Sequence, residues 1–263
     1  MSENNALIPA ATILLLRDTP VLQVLMVERH KGISFAGGAL VFPGGRIDHE
    51  DHSVAWTSFS SGISSDPAIA AGQVASIREA FEETGVLFVR RRGEAALLGA
   101  DDAAALQAWR AKSEKDAGNF RELIEQENLL LACDALQLFA HWSPPKGVGH
   151  KRFDTLFFAA IAPTGQAIRQ DGVEATEALW ISPEQALKDG KNGDRKIIFP
   201  TARNLELLAK SSKGDDVMRY ARERPIRRIE PQMVERDGAC FLTIPTDLGY
   251  PITEEPLESA MRA

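Results

Sequence analysis

The segment from Asp66 to Gly85 constrains this chain more than any other. Asp66 can cap a first helical turn, Pro67 suits the first helical position, and Gly85 suits the left-handed residue that closes a helix. The spacing predicts a helix of about eighteen residues, with Gly72 as its one weak interior point. Within it Glu79, Glu82 and Glu83 stand at i, i+3 and i+4, so three carboxylates share one face. Val74, Ile77, Ala80 and Phe81 form an apolar face able to lie on a sheet while the carboxylates turn toward a cleft. Like charges one turn apart destabilise a helix, and a hard divalent cation such as Mg²⁺ resolves that cost. Arg78 can then hydrogen-bond a carboxylate and fix its rotamer. Three glutamates alone are more often a solvated face, so the surrounding sequence has to decide.

Ahead of this helix, residues 11–16 and 21–28 are rich in Val, Leu and Ile and flank Arg17-Asp18-Thr19-Pro20, which predicts a strand hairpin. A short apolar piece, 39–42, runs into Pro43-Gly44-Gly45, the pattern of a strand ending in a tight turn. Residues 58–65 are serine-rich and loop-like. Beyond the helix, 103–112 and 119–128 have helical periodicity, and 137–142, 152–162 and 175–181 have strand character. Ser182 followed by Gln185 is a capping box opening a helix, 201–210 and 215–224 are further helices, and 241–245 is a late strand. Without internal repeats or long linkers, one α/β domain over 1–263 is economical, with a core at 8–190 and a helical extension at 191–263.

Composition narrows the function classes. Hydrophobic residues at 44% and charged residues at 25% exclude disordered and fibrous chains. Thirty Lys and Arg against thirty-seven Asp and Glu give a net charge of -7, the wrong field for nucleic-acid binding. Cys133 and Cys240 form no C-x-x-C pair, so neither a disulfide framework nor a cysteine zinc site is expected. The apolar run 10–16 is too short to span a bilayer, and Met1–Asn5 lacks the basic residue of a signal peptide, so the expectation is a cytoplasmic protein with no membrane partner. Asp48-His49-Glu50-Asp51-His52 has metal-site composition but no further histidine at ligand spacing, which favours a polar loop; Trp142 is expected in packing more than in base stacking.

The run Arg78-Glu79-Ala80-Phe81-Glu82-Glu83-Thr84-Gly85-Val86 resembles the second half of the signature of the Nudix hydrolases, Arg-Glu-U-x-Glu-Glu-x-Gly-U with U apolar. The first half departs. Six residues on from Gly45 stands Asp51 instead of Glu, and twenty-six residues separate it from Arg78 where the signature has seven, an apparent nineteen-residue insertion. The hairpin, the Phe42-Pro43-Gly44-Gly45 turn, the strand from Arg152 and Glu174 ahead of Trp180-Ile181-Ser182-Pro183 extend the likeness over 10–187. The resemblance implies an α/β/α sandwich around a mixed sheet, elaborated by an inserted loop and a C-terminal helical extension. It also implies hydrolysis of a small-molecule diphosphate with Mg²⁺ or Mn²⁺, and a homodimer. Glu82 and Glu83 are implied as metal ligands, Glu79 as ligand or base, Gly45 as a backbone metal ligand, and Glu174 or Glu177 as the alternative base.

The insertion and the long extension resemble the branch containing peroxisomal coenzyme A diphosphatases. Leu25, Met26, Arg29, Gly38 and Phe42-Pro43-Gly44-Gly45 keep that branch's spacing, whereas Val27, His30 and Ser34 replace its Thr, Ser and second Arg. A missing guanidinium removes a bidentate phosphate contact. Coenzyme A or an acyl-CoA, cleaved to 3′,5′-ADP and phosphopantetheine, is therefore set against ADP-ribose, nucleotide sugars and dinucleotides. A non-catalytic nucleotide sensor of the same fold is the alternative of another class. Arg29 and Arg152 are the candidate substrate-phosphate contacts, with Lys151 beside the latter.

Overall fold

A computed structural model describes residues 6–33, 36–145 and 152–261. Ser34, Lys151 and the first five residues, all considered above, lie outside it. In chain order the elements are β1 (Ile8–Asp18), β2 (Leu22–Arg29), β3 (Leu40–Val41), β4 (Gly44–Arg46), α1 (Pro67–Thr84), β5 (Val89–Arg91), α2 (Ala100–Ala105), α3 (Arg110–Ser113), α4 (Ala117–Gln126) and β6 (Leu129–Leu131). They continue with β7 (Gln137–Trp142), β8 (Phe153–Ile161), β9 (Ala175–Ile181), α5 (Pro183–Asn192), α6 (Phe199–Leu208) and α7 (Gly214–Glu223). The last are β10 (Arg228–Ile229), β11 (Gln232–Arg236), β12 (Ala239–Thr243), β13 (Glu254–Pro256) and α8 (Leu257–Met261).

The main sheet runs β10-β7-β8-β1-β2-β3, with β4 on β1 and β9 on β2. It is mixed: β1 pairs parallel with β8 and antiparallel with β2 and β4. Strand periodicity explains the layering. In β1, Ala11, Ile13 and Leu15 enter one core with Val74, Ile77 and Phe81 of α1, while Leu14 and Leu16 enter a second core with α6 and α7. In β8, Leu156, Phe158 and Ala160 join the first core and Phe157 and Ala159 the second. Helices cover both faces, giving the α/β/α sandwich. A side chain as fully buried as Phe81 contributes about 1.5–3 kcal/mol relative to exposure.

Helix α1 begins and ends where its caps predict. Asp66 accepts hydrogen bonds from the N–H groups of Ala68 and Ile69, and Gly85 closes the helix at φ 77°. Ser182 likewise caps α5 through the Gln185 N–H, but the Gln185 side chain donates to Asp189 instead of completing the box. The expected helix over 103–112 is broken into α2, a 3₁₀ turn and α3, and Gln107 at the break reaches the Gly85 carbonyl. The inserted segment packs down: Trp56 is buried against Phe120, and the Ser61 hydroxyl donates to Asp134 beyond β6. Trp142 is core, edge-on to Phe199 and Tyr250. The extension is not purely helical, since β11, β12 and β13 form a three-stranded sheet. Its hairpin turns at Asp237-Gly238, both at positive φ, the commonest short hairpin signal.

Gly72 lies where α1 crosses the sheet, and a Cβ there would stand 2.8 Å from Leu156 Cδ1 and 3.2 Å from Phe158 Cε2. Gly72→Val is expected to destabilise the fold by about 1–3 kcal/mol through overpacking, read from the urea unfolding midpoint; an unchanged midpoint would contradict the close approach of helix and sheet.

Candidate active site

Antiparallel pairing of β4 with β1 sets Gly45 opposite Ala11 and Gly44 opposite Thr12, beneath α1. The Gly44 N–H donates to Glu83 Oε2 at 2.9 Å. A side chain at Gly45 would displace Glu79, because a Cβ would fall 2.6 Å from its carboxylate carbon. The Phe-Pro-Gly-Gly turn and the acidic helical turn are thus two halves of one site.

Arg78 organises the carboxylates. Its Nε and Nη2 bond both oxygens of Asp51 at 3.1 and 2.9 Å, and Nη2 also donates to the Arg46 carbonyl at 3.0 Å. Nη1 donates to Glu79 Oε1 at 2.8 Å and to Glu82 Oε2 at 2.7 Å. All five guanidinium N–H groups are therefore used. Asp51, the residue out of pattern in the sequence, is buried and holds Arg78 from the far side of the insertion, while Glu50 is taken by Arg121 at 2.9 Å. Burial alone would lower the Arg78 pKa, but Glu79, Asp51 and Glu82 outweigh it and raise it.

The glutamates are buried more deeply than a solvated face allows: Glu82 is 7% exposed and Glu83 4%. Burial, only partly offset by Arg78, pushes the Glu82 carboxyl up to about 8. Glu83 is raised by burial and then by Glu79, and Glu79 is raised by burial against the pull of Arg78. Among the described residues no three Asp, Glu, His or Cys side chains form a ready metal cage, and Arg78 and Gly44 occupy several of the carboxylate oxygens. Glu82 Oε1 is the exception, buried without a hydrogen-bond partner. An orphaned carboxylate oxygen beside the buried Glu83 and the half-buried Glu79 is a donor set that fits a hard divalent cation.

Arg29, at the end of β2, stands 3.7 Å from both Glu83 Oε1 and Glu174 Oε2. The β2–β9 register places it opposite Ala175, hence beside Glu174. Asp171 holds that loop, its Oδ1 accepting the N–H groups of Val173, Glu174 and Ala175. Glu174 is 62% exposed at the side chain, unlike the three helix glutamates. Glu177 is drawn away by Arg195 at 2.7 Å. Arg152 is tied to the Pro144 carbonyl at 3.3 Å, at the entry of β8. Two contributors had no sequence signal: Arg110 donates from Nε to the Glu82 carbonyl at 2.8 Å, and Gln107 donates to the Gly85 carbonyl at 2.9 Å. Both come from the broken helix some twenty-five residues past the box.

Comparison with known sequences adds the lineage. The NUDT19 Nudix domain matches residues 60–207. The chain belongs to that Nudix family. Two curated relatives are acyl-coenzyme A diphosphatase NUDT19 of Xenopus laevis, 24% identical over 91% of this chain and 73% of that protein, and of Gallus gallus, 28% identical over 89% and 74%. Among solved structures, a NUDIX hydrolase from Alicyclobacillus acidocaldarius superposes with TM-score 0.71 and 26% identity, covering 81% of this chain and 96% of its own. The Nudix chain is a pyrophosphohydrolase of the α/β/α sandwich class, as its signature implied. Among the described residues no helix is long and apolar enough to cross a membrane.

The raised Glu82 pKa has a signed consequence. Below about pH 4.5 the carboxyl is protonated in folded and unfolded chains alike; as pH rises toward about 8 only the unfolded chain ionises, so this group's contribution to stability is progressively lost. Glu82→Gln is expected to flatten the decline in the chemical unfolding midpoint between about pH 5 and about pH 8 in Mg²⁺-free protein. Parallel pH profiles of the two proteins would contradict it.

Proposed function

We propose that this chain hydrolyses the diphosphate linkage of coenzyme A or an acyl-coenzyme A, giving 3′,5′-ADP and phosphopantetheine or its acylated form. The observation that carries the reaction is the unpartnered, buried Glu82 Oε1 beside Glu79 and Glu83. The substrate reading is supported by the name of the Xenopus and Gallus relatives and by the spacing of Leu25, Met26, Arg29, Gly38 and Phe42-Pro43-Gly44-Gly45.

Glu79, Glu82, Glu83 and the Gly45 carbonyl would hold Mg²⁺ or Mn²⁺, which when bound offsets charge on the diphosphate. Arg78 fixes the rotamers of Glu79 and Glu82, and the Gly44 N–H fixes that of Glu83. Arg29 faces the substrate phosphate with a guanidinium whose Nε is buried and unpartnered. Glu174 is our candidate to take the proton of the attacking water, a reading supported by its exposure to solvent beside Arg29. A new oxygen–phosphorus bond forms from water, the bond from that phosphorus to the bridging oxygen breaks, and the departing phosphate carries the electron pair. The water proton passes to Glu174.

The deciding experiment offers coenzyme A, acyl-CoA, ADP-ribose and dinucleotides with Mg²⁺ or Mn²⁺ and follows products by mass. Cleavage of the coenzyme A diphosphate ahead of the others, abolished by chelation, is expected. Faster cleavage of ADP-ribose would overturn the substrate, and tight binding without turnover would overturn the reaction. Glu174→Gln is expected to lower kcat by about 10²–10⁴ with KM little changed, measured by steady-state kinetics. Full activity in that variant would remove Glu174 as the base.

A further inference from the structure

Behind the site, Arg195 joins two carboxylates that the strand register sets against each other. Glu28 of β2 stands directly opposite Glu177 of β9. Like charges facing across an antiparallel pair destabilise it. Arg195 Nη1 donates to both, to Glu28 Oε2 and to Glu177 Oε2 at 2.7 Å. Arg195 and Glu28 are each only 25% exposed at the side chain, so water and salt screen these charges less than they would on an open surface. Strand alternation turns Glu28 toward the second core with Val24 and Met26, whereas Arg29 faces Glu83 of α1. The sheet thus separates Arg195 from the helix glutamates.

The ladder changes immediately beyond this ion pair. Glu28 pairs with Glu177, but Arg29 pairs with Ala175, so Thr176 is an extra residue and β9 carries a bulge. The Thr176 hydroxyl donates to the Glu28 carbonyl at 3.2 Å, and the His30 N–H donates to the Glu174 carbonyl at 2.8 Å. Without the bulge Arg29 would face Thr176, and Glu174 would fall one residue farther along, past His30. With it, the Glu174 carboxylate stands 3.7 Å from the Arg29 guanidinium. A third strand is tied into the same row. β3 sets Leu40 opposite Glu28, and the Leu40 N–H donates to the Lys196 carbonyl at 2.7 Å. The dipeptide Arg195-Lys196, from the connection between α5 and α6, therefore holds β9, β2 and β3 where Glu174, Arg29 and the Phe42-Pro43-Gly44-Gly45 turn emerge.

We propose that Arg195 is a positioning residue for the hydrolysis: by holding Glu28 and Glu177 together it fixes the bulge that sets Glu174 beside Arg29. This rests on the diphosphatase reading above, in which Glu174 takes the proton of the attacking water, and extends it to a residue that acts through the strand pair alone. The effect is one of charge. Removing one of the two facing carboxylates therefore lessens the need for the guanidinium.

Amide hydrogen exchange read by mass spectrometry, beside steady-state hydrolysis of coenzyme A, tests the proposal. In Arg195→Ala the segment 171–178 is expected to exchange about fivefold faster or more, while the α1 segment 74–84 keeps its rate. In the same variant kcat is expected to fall by about tenfold or more, because the group that must meet the water is no longer held in place. Adding Glu28→Gln to Arg195→Ala is expected to recover most of both changes, and Glu28→Gln alone to stay within about twofold of wild type. Arg195→Met keeps the stem without the charge and repeats the test should Arg195→Ala not fold, as judged by thermal unfolding. Wild-type exchange or wild-type kcat in the Arg195 variants, acceleration that spreads equally through α1, or a loss that Glu28→Gln does not relieve would each overturn the proposal. A wild-type protein that cleaves no diphosphate would reject the reaction, and local exchange at 171–178 that Glu28→Gln relieves would still uphold Arg195 as the pin of the bulge.

Discussion

The guanidinium of Arg78 is the interaction on which the site depends. It joins three separate stretches of chain: Asp51 in the acidic turn, the Arg46 carbonyl at the end of β4, and Glu79 and Glu82 on its own helix. A buried cation with five answered donors tolerates the crowding of carboxylates that would otherwise repel one another. It does not neutralise them completely: Glu82 keeps an unanswered oxygen, and burial together with Glu79 holds the Glu83 carboxyl well above its ordinary pKa.

The sheet supplies the rigidity this arrangement needs. β1 is buried on both faces and pairs with β8, β2 and β4, so α1 rests on the same strand that carries the Gly44-Gly45 backbone. Helix and turn are held to one reference, and side chains that must meet within hydrogen-bond distance do so without flexible intermediaries. The exposed carboxylate beside Arg29, Glu174, sits instead on a loop ordered by Asp171. The insertion that separates Asp51 from Arg78 in sequence folds against α4 and β6, leaving the Asp51–Arg78 pair intact.

Much of this is legible in the sequence. The caps of α1, the hairpin, the central strands and β9 follow from local rules whose physics acts over a few residues, and the three glutamates on one face follow from helical geometry. The hairpin of β11 and β12 was not anticipated beyond one late strand at 241–245; its strands are short and largely exposed, so the alternation that marks a strand is weak. The kinked run of α2 and α3 was not signalled. Its periodicity is continuous, and the break serves contacts with Gly85 and Glu82 that lie in another part of the chain.

Sequence by itself determined the chemistry available to this protein: an acidic helical turn, an arginine beside it, and a Gly-Gly turn with no side chains to obstruct it. These are matters of residue type and near-neighbour spacing, which the helical repeat converts directly into a shared face. Tertiary structure alone decided how buried those carboxylates are, that Asp51 and not Glu50 answers Arg78, that Glu174 meets the site while Glu177 is held by Arg195, and that Arg110 stands at the end of α1. Each of these depends on desolvation or on pairs far apart in the chain, quantities set by packing rather than by local periodicity.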